Sequence, residues 1–399
     1  MVIDIAVILA VILAGLMLWM PRVRLSKTWR AMTTPLASII GSGFLVLGPI
    51  LVASYGMYAP LVMAVLCAGA YLYGAAIRYN IGVIETLGVD RGRGIDTLET
   101  VASGALGFAY IISVAYYLNL FGAFAVSLTP LNAPFYAKLV TTAVYLLIVT
   151  VGWTRGFKSL EQMEYVSVSV KLAIIAGLLI GLAIFFEDKA THSGLIFNPL
   201  VETGWAGITI AFGLIVTVQG FETSRYLGAE YNSQIRATSM RWAQWVSTGI
   251  YVIYIALLAY VFEQDALVLT ETAIVDMMKV VAPILPFLLV AAALAAQFSA
   301  AVADTSGSGG LISEVSHHRI TPGKAYALLT GIGVSLTWTS GVFDIISYAS
   351  RAFAVYYALQ AGIAAISAAR ERSWFRAVVF ASLAALGMLI VVFGQSAEG

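Results

Sequence analysis

The stretch LASIIGSGFLVLGPIL, residues 36–51, is apolar at both ends and carries Gly41, Ser42 and Gly43 at its middle. Glycine and serine hold a helix together poorly, because glycine loses the most backbone entropy and serine competes for backbone hydrogen bonds. Within a bilayer such an interruption cannot face lipid, so it must be buried in protein or line a cavity. The break would present unpaired N–H groups at the start of one half-helix and carbonyls at the end of the other. The first set suits an anion and the second a cation. Close helix packing through small residues is the structural alternative for the same three residues.

A bilayer is what the whole composition indicates. Of 399 residues, 60% are hydrophobic and 11% charged, against about 25% charged in a soluble domain, and the mean hydropathy is +0.91. A net charge of +1 leaves no basic face for a nucleic acid. The single cysteine, Cys67, excludes an internal disulfide. The opening MVIDIAVILAVILAGLMLWM is about membrane-spanning in length and lacks a basic leader and a small-residue cleavage site, so it reads as a retained helix. Twelve apolar segments follow one another, at roughly 2–20, 33–55, 58–79, 98–128, 135–153, 164–186, 205–226, 239–262, 282–313, 323–339, 342–368 and 374–394. The expectation is an all-α integral membrane protein with about twelve transmembrane helices and no soluble domain.

Charge orients the stack, since Lys and Arg near helix ends are retained on the cytoplasmic side. Arg22, Arg24, Lys27 and Arg30 put the start of the second segment inside. Every alternate connection agrees: Arg78, Arg91 and Arg93; Arg155 and Lys158; Arg236 and Arg241; Arg319 and Lys324; Arg370, Arg372 and Arg376. The opposite side carries Lys138, Lys189 and Lys279 among many acids, including Glu187, Asp188, Glu202, Glu263 and Asp265. Both termini are therefore expected outside a cell (inner) membrane.

A second interruption lies five segments after the first. FGLIVTVQGFETSRYLGAE, residues 212–230, places Gln219, Gly220, Glu222 and Thr223 inside an apolar span. Two discontinuous helices five apart are what an inverted repeat of five plus five helices produces, and an odd number of spans per repeat gives the halves opposite orientation. The chain then divides into an extra N-terminal helix and linker (1–32), a first repeat (33–187), a second repeat (188–368) and an additional C-terminal helix (369–399). The segments at 33 and 205 become core helices 1 and 6.

At motif level the sequence resembles the amino acid-polyamine-organocation superfamily of transporters, which share the leucine-transporter fold. IIGSGFLVLGP is similar to that family's core helix 1, QGFETSRYLGAEYNSQIR to its core helix 6, and SVSVKLAIIAGLLIGLAIFF, with its lysine, to its core helix 5. The family's Pro and Gly-Gly cluster after core helix 2 and the serine-arginine pair of core helix 8 are absent, so the resemblance is to a distant member. It implies, as the half-helix argument also does, a carboxylate held around Ile40, Gly41, Ser42 and Gly43 and an amine held around Val216, Thr217, Gln219 and Gly220. Phe221 would cover the bound molecule; core packing is the plainer reading of that ring.

Ionisable residues at membrane depth each cost about 2.5–3.5 kcal/mol unless paired or hydrated. Lys171 lies seven residues past Glu164, about 10 Å inside the cytoplasmic boundary. Asp304 sits at similar depth in a helix of opposite direction, and Gln297, Ala301, Asp304 and Ser308 form one small and polar stripe. Lys171 and Asp304 are candidate coupling residues for a proton; sodium is the alternative ion, with Ser299 placed where sodium-coupled members of the family have hydroxyl ligands. Arg351 is a candidate outer gate or a structural tie to a carbonyl. No metal-ligand spacing involves His192, His317 or His318, and no metal or cofactor is expected. The glycine-rich TSGSGG, residues 305–310, follows no strand, so it is not read as a phosphate cradle, and enzyme chemistry finds little support. The function expected is secondary active transport of a small zwitterionic solute, an amino acid or related amine, by alternating access with proton coupling. The alternatives are a non-transporting receptor or channel-like protein on the same fold, or a carrier of a nucleobase or other heterocycle. Oligomeric state is not encoded in any feature of the sequence.

Overall fold

The computed structural model describes residues 2–87, 92–154, 164–229 and 231–397, and every regular element among the described residues is helical, with no strand. The first helix, α1 (Val2–Trp19), is followed by a helical turn, Pro21–Arg24, and by α2 (Lys27–Ser42) and α3 (Phe44–Tyr55). Ser26 caps α2, its Oγ accepting the Trp29 N–H at 3.4 Å, which satisfies one of the donors a helix start leaves unpaired. Gly43 alone separates α2 from α3. A turn at Gly56, with φ of 52°, then reverses the chain into α4 (Ala59–Leu87).

Next come α5 (Arg93–Ser127), α6 (Pro134–Thr154), α7 (Glu164–Asp188) and α8 (Gly204–Gly213). The segment expected as a discontinuous span from 205 is α-helical only over those ten residues of α8, which cover about 15 Å. That is half of a hydrocarbon core about 30 Å thick. The chain continues as two 3₁₀ turns, Ile215–Val218 and Phe221–Ala229, on either side of Gln219 and Gly220. The series ends with α9 (Ser233–Ala259), α10 (Ala273–Val281), α11 (Leu285–Val315), α12 (Pro322–Thr339), α13 (Val342–Arg370) and α14 (Trp374–Phe393). Asn232 caps α9 by accepting the Ile235 N–H at 2.9 Å. Nine helical runs among the described residues are long and apolar enough to cross a membrane. Arg91, Arg155 and Lys158, expected on the cytoplasmic side, lie outside the described residues.

α5 forms the centre, packed against α6, α11 and α13, and its run from Ser113 to Leu120 is buried throughout. α9 lies across α2 and α4, and α14 backs α13. α1 packs only one stripe inward: Val7 and Val11 rest on Gly177 and Gly181 of α7, while Ile5, Ile8, Leu9, Ile12, Leu13 and Leu16 are exposed. Bare leucine and isoleucine on that scale match lipid rather than water. Asp4 ties α1 to the bundle, accepting the Ile284 N–H at 3.3 Å at the start of α11.

Candidate functional site

The two interruptions meet. Gly43 bends the chain at φ −107° and ψ −13°, and a Cβ there would lie 2.6 Å from the Thr217 Cα, so only glycine lets the two backbones touch. Gly220 adopts φ 118°, which side chains disfavour, and a Cβ on it would lie 2.7 Å from the Ile39 nitrogen. Sequence reasoning placed both glycines in the site, and the structure presses them against each other's helices. Ile40 and Gly41 occupy the last turn of α2, before the bend. The Ser42 hydroxyl, expected to bind a carboxylate, lies outside the described residues.

Backbone groups released by the breaks are taken up by side chains from two neighbouring helices. Tyr251 of α9 directs its hydroxyl at the carbonyls of Thr217, at 2.7 Å, and Ile39, at 2.9 Å. One hydroxyl hydrogen therefore serves a carbonyl of each broken helix. Ser350 of α13 accepts the Val216 N–H at 3.0 Å and donates to the Gly213 carbonyl at 2.6 Å. Gln219 is buried and donates through Nε2 to the Tyr117 hydroxyl at 2.8 Å, leaving its Oε1 without a hydrogen-bond donor. Glu222 is fully buried; one carboxylate oxygen accepts the Gly220 N–H at 2.9 Å and the Tyr357 hydroxyl at 3.1 Å. That contact makes Glu222 a cap on the second 3₁₀ turn. Phe221 stacks on Tyr357 with ring centroids 5.2 Å apart and planes 17° apart, which is core packing.

Lys171, Ser299 and Asp304 come together. They line one cavity of about 30 Å³ with Thr34, Ser38 and Thr223, room for one or two water molecules. The Lys171 ammonium donates to the Ala37 carbonyl at 2.7 Å, on the helix that leads into the bend, and lies 3.5 Å from where a Cβ on Gly41 would be. Lys171 is 5% exposed and Asp304 4%. The Asp304 carboxylate takes a hydrogen bond from Ser113 of α5, and Ser308, one turn further along α11, donates to the Gly107 carbonyl at 2.9 Å. The polar stripe of α11 thus faces α5, and TSGSGG runs as helix within it. Arg351 is exposed, and its Nε donates to the Val391 carbonyl at 2.7 Å. No group of three or more His, Cys, Asp or Glu side chains able to hold a metal occurs among the described residues.

With this geometry in view, the sequence signature described as "APC superfamily transporter" matches residues 21–394. This chain belongs to the APC superfamily of transporters. An uncharacterized protein of Aquifex aeolicus (strain VF5) is 39% identical over 401 residues, a match that covers 99% of this chain and 98% of the relative. The matched family region leaves out α1, which precedes residue 21.

Several residues that hold the two broken helices of this APC transporter together were passed over in the sequence. Tyr251 belongs to a buried stripe on α9 with Gln244, Ser247, Tyr254 and Leu258, spaced at three and four residues, so its inward direction was legible from helical periodicity. Ser350 neighbours Arg351, the charged residue that drew notice, yet it is the serine that faces the broken helix. Near the arginine-rich end, Arg225 pairs with Glu99 at 2.5 Å and with Gln360 at 2.5 Å. Asn80 adds a 2.9 Å contact to the same Gln360 oxygen.

Proposed function

We propose that this APC superfamily transporter is a proton-coupled secondary carrier of a small zwitterionic solute, an amino acid or related amine, working by alternating access. In this reading the chain crosses a cell membrane twelve times with both termini outside. The helices α2–α3 through α7, and α8 through α13 without the short α10, are the two five-helix repeats of a leucine-transporter fold. The breaks at Gly43 and Gly220 form the hinge region of core helices 1 and 6, where amides hold a carboxylate and carbonyls hold an amine. The observation that carries the reading is the placement of Lys171. Its ammonium holds the Ala37 carbonyl on the helix that leads into the first break, inside a cavity shared with Ser299 and Asp304. A cation in that place binds α2 to α7, and loss of its proton would turn that charge-assisted bond into a weaker neutral one. Coupling follows when solute binding and this proton each favour the same arrangement of α2.

The test is reconstitution into proteoliposomes, with uptake of radiolabelled amino acids and amines measured under an imposed pH gradient. The expected result is saturable uptake that collapses when a protonophore removes the gradient. Uptake that needs sodium and ignores the pH gradient would transfer the coupling role to Ser299. Saturable uptake of nucleobases alone would replace the solute class, and ligand binding with no uptake of any solute would favour the receptor reading.

A further inference from the structure

The segment after α14 turns back into the molecule. The Gln395 N–H donates to the Thr209 carbonyl of α8 at 3.0 Å, and the Thr209 hydroxyl donates to the Gln395 side-chain oxygen at 3.1 Å. A Cβ on Gly213, the last residue of α8, would overlap the Gln395 carbonyl. From α13, Ser347 donates to the Gly394 carbonyl at 3.4 Å, and Arg351 holds the Val391 carbonyl at the end of α14. Trp205 of α8 meets Phe393 edge-on, with centroids 5.2 Å apart. Gly394 is buried, and Ala397 packs on the core. Residues 391–397 are thus held by α8 on one side and α13 on the other.

The point of attachment is what gives this contact a consequence. Gly213 closes α8 where the chain leaves the α-helix, and Ser350 of α13 binds its carbonyl. The strap bonds Thr209, one turn earlier, and packs the Gln395 carbonyl against Gly213, so strap and α13 both bear on the last turn of the half-helix, at the edge of the break. Tyr55 of α3 donates to the Gly207 carbonyl of α8 at 2.6 Å, so the strap and Ser350 act on the last turn of the half-helix, at Thr209 and Gly213. A sequence that needed only to end the last helix would have no reason to hold a glycine at Gly213 against a main-chain carbonyl from residue 395.

We propose that residues 394–397 are a strap that clamps α8 to α13, and that its release from Thr209 and Gly213 is required for α8 to swing away from α13. The inference rests on the reading of α8 as a moving half-helix, and the experiment separates the two by measuring position without any solute. Cys67 is replaced by serine, and spin labels are placed on cysteines at Ile208 of α8 and Tyr348 of α13, both exposed. Double electron–electron resonance is recorded in lipid nanodiscs. With the strap intact, one narrow distance population is expected. Gln395→Pro, which removes the N–H, Gly213→Ala, which pushes the strap off without altering it, and deletion of residues 394–399 should each add a second, longer population. Retention of the single parental distance in the folded variants would overturn the strap. A uniform second population already present in the parent, unchanged by all three variants, would show that α8 moves without regard to it and would overturn the strap while leaving the moving half-helix intact.

Discussion

At the scale of single residues, the site is governed by where a side chain cannot be. Gly43→Val would drive a branched side chain into Thr217, whose fully buried surroundings give it nowhere to go. The two broken helices must then separate. The expected outcome is a folded, monodisperse protein with solute uptake reduced at least about tenfold, the equivalent of about 1.4 kcal/mol; uptake within twofold of wild type would mean that the contact serves packing alone. Tyr251→Phe is the complementary change. It keeps the ring, which lies 5.4 Å from Phe44, and removes the hydroxyl shared by the Ile39 and Thr217 carbonyls. Leaving buried carbonyls with one donor fewer costs about 1–3 kcal/mol, to be read as a shift in denaturation midpoint in micelles. The glycines could be picked out in the sequence because an interruption in an apolar run is local information. The role of Tyr251 could not, because its partners lie 34 and 212 residues away and both are main-chain atoms that any residue supplies.

At the scale of elements, the apolar lengths and polar stripes of the sequence carried most of the arrangement. Lys171 on α7 and Asp304 on α11 are 133 residues apart, yet residue counting from the membrane boundary put both at similar depth, helical spacing turned Asp304 inward, and both line the same cavity. What periodicity could not supply was the partner of each. Asp304 takes its hydrogen bond from Ser113, a residue that looks ordinary among the apolar neighbours of α5, and Lys171 reaches a carbonyl of α2. Nor could it show that the span from 205 gives up α-helix after ten residues, because Ile215, Val216 and Val218 are as apolar as any helix interior. Replacing Lys171 separates the consequences. Lys171→Gln keeps a donor for the Ala37 carbonyl and removes the titrating charge, whereas Lys171→Ala removes both. Ligand binding, measured as a thermal shift, should survive in the glutamine variant while uptake loses its dependence on the pH gradient; the alanine variant should also lose stability. Unaltered pH-gradient dependence in Lys171→Gln would make Lys171 a strut between α2 and α7.

For the whole molecule, orientation is a matter of summed charge rather than of any contact. Arg22, Arg24, Lys27 and Arg30 precede the first break, and Arg370, Arg372 and Arg376 precede and open α14. Both groups sit at helix ends, where each charge resists translocation by about 2.5–3.5 kcal/mol if forced to the centre of the bilayer. With both basic ends inside, as proposed, residues 2 and 397 share the outer side if α1 and α14 each cross once. The packing of α1 on α7 and the return of residues 394–397 onto α8 involve no charge asymmetry, so they were beyond any reading of Lys and Arg counts. They do, however, make the topology easy to test, because the only native cysteine is buried at Cys67. In a Cys67→Ser background, Val268→Cys, exposed in the acidic connection before α10, should react with a membrane-impermeant maleimide in intact cells or right-side-out vesicles, while Ser373→Cys, between the arginines, should react only after the membrane is opened. Val2→Cys should follow Val268→Cys. Labelling of Ser373→Cys from outside, with Val268→Cys protected, would invert the stack and assign the Lys171 cavity to the outer half of the membrane. Protection of Val2→Cys alone would mean that α1 lies along the surface of the bilayer or re-enters it, and the count of crossings would fall by one.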